Sequence, residues 1–204
     1  ASTERWINAK IDGHRPGEPL PALAPFELKL GVELNKSDDA VAADKFSAAF
    51  PEDVETIELS VVLDSDDCDI EVKDDRICVP RTGTSTRDAR FLVTPRQDGP
   101  CTLRAFVMVG GNFVQRLKIP LVIGAVGSQP TPPEATGRTI NSIVGLGRRD
   151  LTLVIQPAPG DGFECTVIGT THATCRLPVK QAQLASAIRA ARKAIMDVIL
   201  SKDD

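Results

Sequence analysis

A period of two is the strongest constraint on this chain. Over residues 26–34, Phe26, Leu28, Leu30, Val32 and Leu34 alternate with Glu27, Lys29 and Glu33. Successive side chains of an extended chain point to opposite faces, so this segment reads as a strand with one face buried. The pattern returns at Ile57, Leu59, Val61 and Leu63, at Ala89, Phe91 and Val93, and at Cys101, Leu103, Ala105, Val107 and Val109. It returns again at Phe113, Leu117, Ile119, Leu121 and Ile123, and Gly110-Gly111-Asn112 between the last two runs supplies the positive φ values of a tight hairpin. Shorter runs at residues 70–72 and 77–79 bring the total to about seven strands over roughly 100 residues, the pattern of an antiparallel immunoglobulin-like β-sandwich. Residues 40–50 carry a weak helical period and read as an excursion between strands.

Four segments follow from these patterns. Residues 1–25 are expected to form an amino-terminal strap, because Pro16, Gly17, Pro19, Pro21 and Pro25 interrupt regular structure, with Trp6 and Ile7 anchoring it. Residues 26–124 are the sandwich. Residues 125–137, rich in proline and poor in anything to bury, read as a semi-extended linker. Residues 138–204 form a small α+β unit. Its strands are expected at residues 151–155, 163–168 and 174–179, followed by a helix from about Lys180. Leu184, Ile188, Ala191, Ile195 and Val198/Ile199 fall at helical spacing, so the helix is expected to lie on the three-stranded sheet. The fold class is therefore mostly β, an immunoglobulin-like sandwich followed by a three-stranded sheet plus one helix.

Composition narrows the class of protein. With 204 residues, 42% of them hydrophobic and 25% charged, the chain has room for one full core and a smaller one. No segment approaches the ~20 apolar residues of a membrane span, so no membrane partner is expected. The five cysteines, Cys68, Cys78, Cys101, Cys165 and Cys175, are an odd number, which leaves a thiol unpaired and favours a reducing, cytoplasmic compartment. A hairpin turn at residues 169–171 sets Cys165 opposite Cys175, and Cys68 is expected to face Cys78 in a similar way, both as buried thiols. The net charge of −4 is unevenly spread: residues 33–75 hold 15 acidic residues against 3 basic ones, while residues 76–118 carry an excess of arginine. Such a split can orient a partner or pair one sheet edge with another, although solvated outer faces of strands are the expectation.

Catalytic chemistry has little to work with. The chain has two histidines, His14 and His172, and no tyrosine. Both histidines fall in turn-rich stretches, and no nucleophile, phosphate-cradle or zinc-hydrolase motif accompanies them, so no enzyme and no catalytic residue is expected. Gly145-Leu146-Gly147 leads into a strand and reads as a turn. Asp64, Asp66, Asp67 and Asp69 resemble the opening of a calcium loop. However, Cys68 takes the fifth ligand position, Asp69 replaces the turn glycine, and Asp75 stands where a glutamate should close the loop. An acidic hairpin is the expectation. Cys165, His172 and Cys175 offer three soft ligands where a structural zinc site takes four. No metal and no cofactor are expected. Arg81, Arg87, Arg90, Arg96, Arg104 and Arg116 are the candidates for a nucleic-acid surface. The acidic balance and the scarcity of aromatic residues argue against a nucleic-acid partner.

Several segments together resemble the non-catalytic region found upstream of effector domains in bacterial multidomain conflict proteins, of the type that ends in a caspase-like CHAT peptidase. They are Arg5-Trp6-Ile7-Asn8, Leu63-Asp64-Ser65-Asp66 with Asp69-Ile70, Val79-Pro80-Arg81-Thr82-Gly83, and Phe91, Val93 and Pro95. Gly99, Gly111-Asn112-Phe113-Val114-Gln115, Asp150-Leu151-Thr152-Leu153 and the Ala/Arg-rich closing helix complete the set. The resemblance implies a binding or regulatory module whose effector lies outside this segment, with a protein partner or a further domain of the same chain as its target. An adhesion or carbohydrate-binding domain of a surface protein is the alternative, and paired disulfides with exposed aromatic platforms would mark it.

Overall fold

The computed structural model describes residues 4–47, 50, 52–124, 135–137, 147–158 and 160–200, with side-chain surroundings given up to residue 193 except at residues 135–137. Residues 4–149 belong to one compact unit and residues from 150 onward to a second. In chain order the first unit contains β1 (Arg5–Ile11), β2 (Phe26–Glu33), β3 (Ala40–Phe46), β4 (Thr56–Asp64), β5 (Cys68–Asp74), β6 (Arg76–Pro80), β7 (Ala89–Pro95), β8 (Gly99–Val109), β9 (Asn112–Ile123) and β10 (Ala135–Gly137). The second contains β11 (Thr152–Ala158), β12 (Gly162–Ile168), β13 (His172–Leu177) and α1 (Gln181–Leu200).

Two five-stranded sheets make the first unit, in the orders β3-β1-β2-β7-β5 and β10-β9-β8-β4-β6. All named strand pairs are antiparallel. The succession β1-β2-β7-β5 follows the A-B-E-D order of an immunoglobulin sheet, and β9-β8-β4 follows G-F-C. The inner faces are the alternating residues of the sequence pattern. Leu28, Leu30, Phe91 and Val93 from one sheet meet Leu59, Val61, Leu103 and Ile119 from the other in a single buried cluster. Each such aliphatic or aromatic side chain contributes about 1.5–3 kcal/mol on burial, which makes this cluster the main source of stability in the chain.

Three boundaries differ from the sequence expectation. The strap does not begin at residue 1, because Arg5–Ile11 is an internal strand between β3 and β2 with Ile7, Ala9 and Ile11 buried. The alternation Ile7, Ala9, Ile11 is short, and the prolines that follow it from Pro16 onward obscure it. What remains of the strap runs along β9: Leu20 N–H donates to Val122 O at 2.8 Å, and Gly124 N–H donates to Leu20 O at 2.7 Å. Residues 40–50, read as an excursion, contain β3, whose partner β1 supplies the pairing that a local pattern does not reveal. Of the expected linker, residues 125–134 lie outside the described residues. Residues 135–137 pair with β9 and belong to the sandwich.

The hairpin at Gly110-Gly111 forms as expected, with φ of 54° and 77°, a two-residue turn whose twist matches its strands. Alternation fails on β8, where Phe106 and Met108 are buried on the face opposite Ala105 and Val107.

In the second unit, β11, β12 and β13 form an antiparallel sheet in sequence order. Pro178 ends β13, and the Gln183 side chain accepts from Lys180 N–H at 3.0 Å, half of a capping box that starts α1. The sheet and helix are those expected. The helix, however, leaves its described side chains exposed, with Leu184 at 36% and Ile188 at 44%.

Candidate interaction surface

The charge split of the sequence is consumed within the sandwich. Acidic β4 and β5 lie beside basic β6, β7 and β8, and the side chains meet across strands. Arg87 donates to both Asp74 carboxylate oxygens at 2.6 and 2.9 Å, Arg96 to Asp69 at 2.7 and 3.0 Å, and Arg104 to Asp64 at 2.8 and 3.1 Å. Arg76 pairs with Glu58 and Asp75, and Arg90 approaches Glu27 at 4.0 Å. Arg81 donates to the carbonyls of Glu52 and Val54, and Arg116 is buried. The candidate nucleic-acid arginines are thus committed to the chain's own carboxylates and carbonyls, or are buried. Exposed pairs of this kind are worth little in energy, but they cancel the field that would steer a polyanion.

The acidic loop is held in the same way. Besides its contact with Asp64, Arg104 reaches Asp66 at 3.1 Å, and Arg96 bonds the Asp66 carbonyl at 3.2 Å. The guanidinium hydrogen bonds hold the Asp69 carboxyl below its ordinary range, and Arg87 does the same for Asp74. Among the described residues, no three His, Cys, Asp or Glu side chains gather as a group able to hold a metal ion. His14 lies in the turn after β1, partly buried, and burial lowers its pKa. His172 opens β13 on the surface of the other unit, and Gly147 lies outside any strand or helix.

The cysteines pair differently from the expectation. Cys165 and Cys175 are register partners on β12 and β13, as expected, but Cys175, at the edge of the sheet, is exposed instead of buried. Cys68 does not face Cys78. It faces Cys101 across the two sheets, and Cys78 sits on β6 opposite Glu58. Two strands close in sequence need not be neighbours in space: β5 belongs to one sheet and β6 to the other.

Arg5 escaped the sequence reading as a buried cation. It donates to Pro80 O at 2.7 Å and to Arg81 O, and both Arg5 and Arg81 stack over Phe50 at 5.6 and 5.7 Å. These contacts tie β1 of one sheet to the end of β6 of the other. The pairing of Arg5 with β6 spans more than 70 residues, so no local pattern announces it.

Among the described residues, a sheet face left open by its own chain lies in the second unit. Register places Leu153 and Ile155 of β11, Phe163, Cys165 and Val167 of β12, and Ala173, Cys175 and Leu177 of β13 on one face. Every one is apolar. Leu153 and Ile155 are nevertheless 56% and 55% exposed, and Leu151 beside them is exposed as well. The opposite face carries the buried Val154 and Ile168 beside Thr166 and Thr174, hydroxyl to hydroxyl at 3.0 Å, and Gln156 bonded to Glu164 at 2.7 Å. An all-apolar sheet face left open is uncommon on a protein that acts alone. Strand β11 is an edge strand of its sheet, with β12 as its neighbour.

A scan against protein-family models finds no match for this chain, and a search of curated proteins finds none either. No described helix is long and apolar enough to cross a membrane.

Proposed function

We propose that this chain is a non-catalytic binding and regulatory module of a larger bacterial cytoplasmic protein, docking a protein partner or the effector domain of its own polypeptide. The reading rests on one observation, the open apolar face around Leu153 and Ile155. That face is mostly aliphatic, with Phe163 as its aromatic member, whereas carbohydrate platforms stack sugars on exposed aromatic rings. Aliphatic surface on the face of a small sheet suits a protein that covers it. The sandwich then serves as scaffold, its charges internally paired and its core closed.

Photo-crosslinking at Ile155 of the full protein in its own cells tests this reading. The expected result is a discrete adduct, identified by mass spectrometry as one protein or as another domain of the same chain. It should vanish when Leu153→Asp is introduced. An adduct pattern unchanged by Leu153→Asp, or no adduct together with specific retention on a glycan array, would overturn the proposal.

A further inference from the structure

We propose that Cys68 and Cys101 are a reversible disulfide site that fastens the outermost strand of one sheet to the other sheet. Their sulfurs lie 3.1 Å apart, and both side chains are in the core, 3% and 4% exposed. Bond formation requires closing that gap to about 2.0 Å, a change that rotation of two short side chains can supply. Cys68 opens β5, the edge strand next to β7, and Cys101 stands near the start of β8. The pair is not the central cross-sheet position that characterises antibody domains, which joins the B and F strands. Here it ties the D-like strand to the F-like strand.

The two thiols are chemically unequal. The hydrogen bond from Cys101 favours the thiolate of Cys68, while the same contact and burial push Cys101 up. Its place on the edge strand makes Cys68 the attacking sulfur. Access comes from its position: β5 is paired on one side only, and most of its side chains beyond Cys68 are exposed. Cys101 lies outside the stretch where β8 pairs with β4, residues 104–108, and is held there by β9 alone. Fraying of an edge strand opens such a site without global unfolding.

The oxidant is a low-molecular-weight disulfide of the glutathione class. The Cys68 thiolate attacks one sulfur of oxidised glutathione, the glutathione disulfide bond breaks, and one glutathione thiolate leaves. Cys101 then loses its proton and attacks the Cys68 sulfur, expelling the second glutathione thiolate. The two protons given up by the cysteines end on the two glutathiones. Two protein thiols are oxidised to one disulfide, and one glutathione disulfide is reduced to two thiols. Reduced dithiothreitol reverses the exchange.

The test treats the whole folded chain with oxidised glutathione, blocks remaining thiols with an alkylating agent, and maps the peptides. The expected product is a Cys68–Cys101 linked peptide, with the sandwich transition raised by on the order of 10 °C and restored by dithiothreitol. Cys101→Ala should lose both the linkage and the shift, and Cys175→Ser should lose neither. Because mapping the unaltered chain needs no variant, a Cys101→Ala protein that folds poorly leaves the test intact. Alkylation of Cys68 and Cys101 as separate thiols after treatment would overturn the proposal, as would linkage confined to Cys165 and Cys175 or linkage formed only in denaturant.

Discussion

The sandwich and the carboxy-terminal unit use the same material to different ends. Both are antiparallel, and both have sheet faces that are almost wholly apolar. In the sandwich each apolar face has a second sheet to press against, so Leu30, Phe91, Leu103 and Ile119 are fully buried. In the second unit the face of β11, β12 and β13 meets no comparable layer among the described residues, and the helix meant to supply it exposes Leu184 and Ile188. A three-stranded sheet needs such a covering layer for independent stability. The difference teaches that a matched pair of apolar faces, rather than apolar content, separates a closed core from an open apolar face.

Substitutions can break that comparison at its strongest point first. Phe91→Ala, at the centre of the sandwich, is expected to cost about 3–5 kcal/mol through lost transfer energy and a residual cavity. Denaturation followed by the fluorescence of Trp6, the single tryptophan and a residue of β1, reads the sandwich selectively. An unchanged midpoint would mean that the two sheets do not share a cooperative core.

Gly111→Val comes next. The residue has φ of 77°, and a Cβ there would stand 2.3 Å from the Arg149 carbonyl oxygen. Strain at such a position is worth about 1–3 kcal/mol before the clash is counted, so the same melts should show a clear loss. Gly111→Ala should lose stability too. Tolerance of both would remove the hairpin turn assigned to Gly110-Gly111.

Acid should act on the sandwich transition with a moderate effect. Asp69 and Asp74 have folded pKa values below their ordinary ones because Arg96 and Arg87 bond their carboxylates. A depressed folded pKa stabilises above the unfolded value, near 3.9 for aspartate, and that contribution disappears as pH falls through the lower folded values. Thermal melts should therefore decline as pH drops below about 4. Arg87→Gln with Arg96→Gln should make the decline shallower, and identical profiles for both proteins would show that these pairs contribute nothing.

Ile188→Asp is expected to change stability least, within about 0.5 kcal/mol, because the side chain is 44% exposed and leaves no cavity. Hydrogen exchange of β11, β12 and β13 in this variant should match the parent. Strong loss of protection there would mean that α1 covers the sheet in solution and would narrow the contrast between the two units.

Legibility followed the range of each interaction. The alternation at residues 57–63, 89–93 and 101–105 told which side chains face inward, because side-chain direction in a strand is set by the next residue along the chain. The Gly110-Gly111 turn was legible for the same reason: two adjacent residues carry it. Strand neighbours were not. That Arg5–Ile11 lies between β2 and β3, that Arg104 reaches Asp64 and that Cys68 meets Cys101 instead of Cys78 depend on which strands the fold brings together. The helical stripe at Leu184 and Ile188 named an apolar face without naming what covers it. Periodicity records which way a residue points, and only the packing of distant segments supplies what stands opposite.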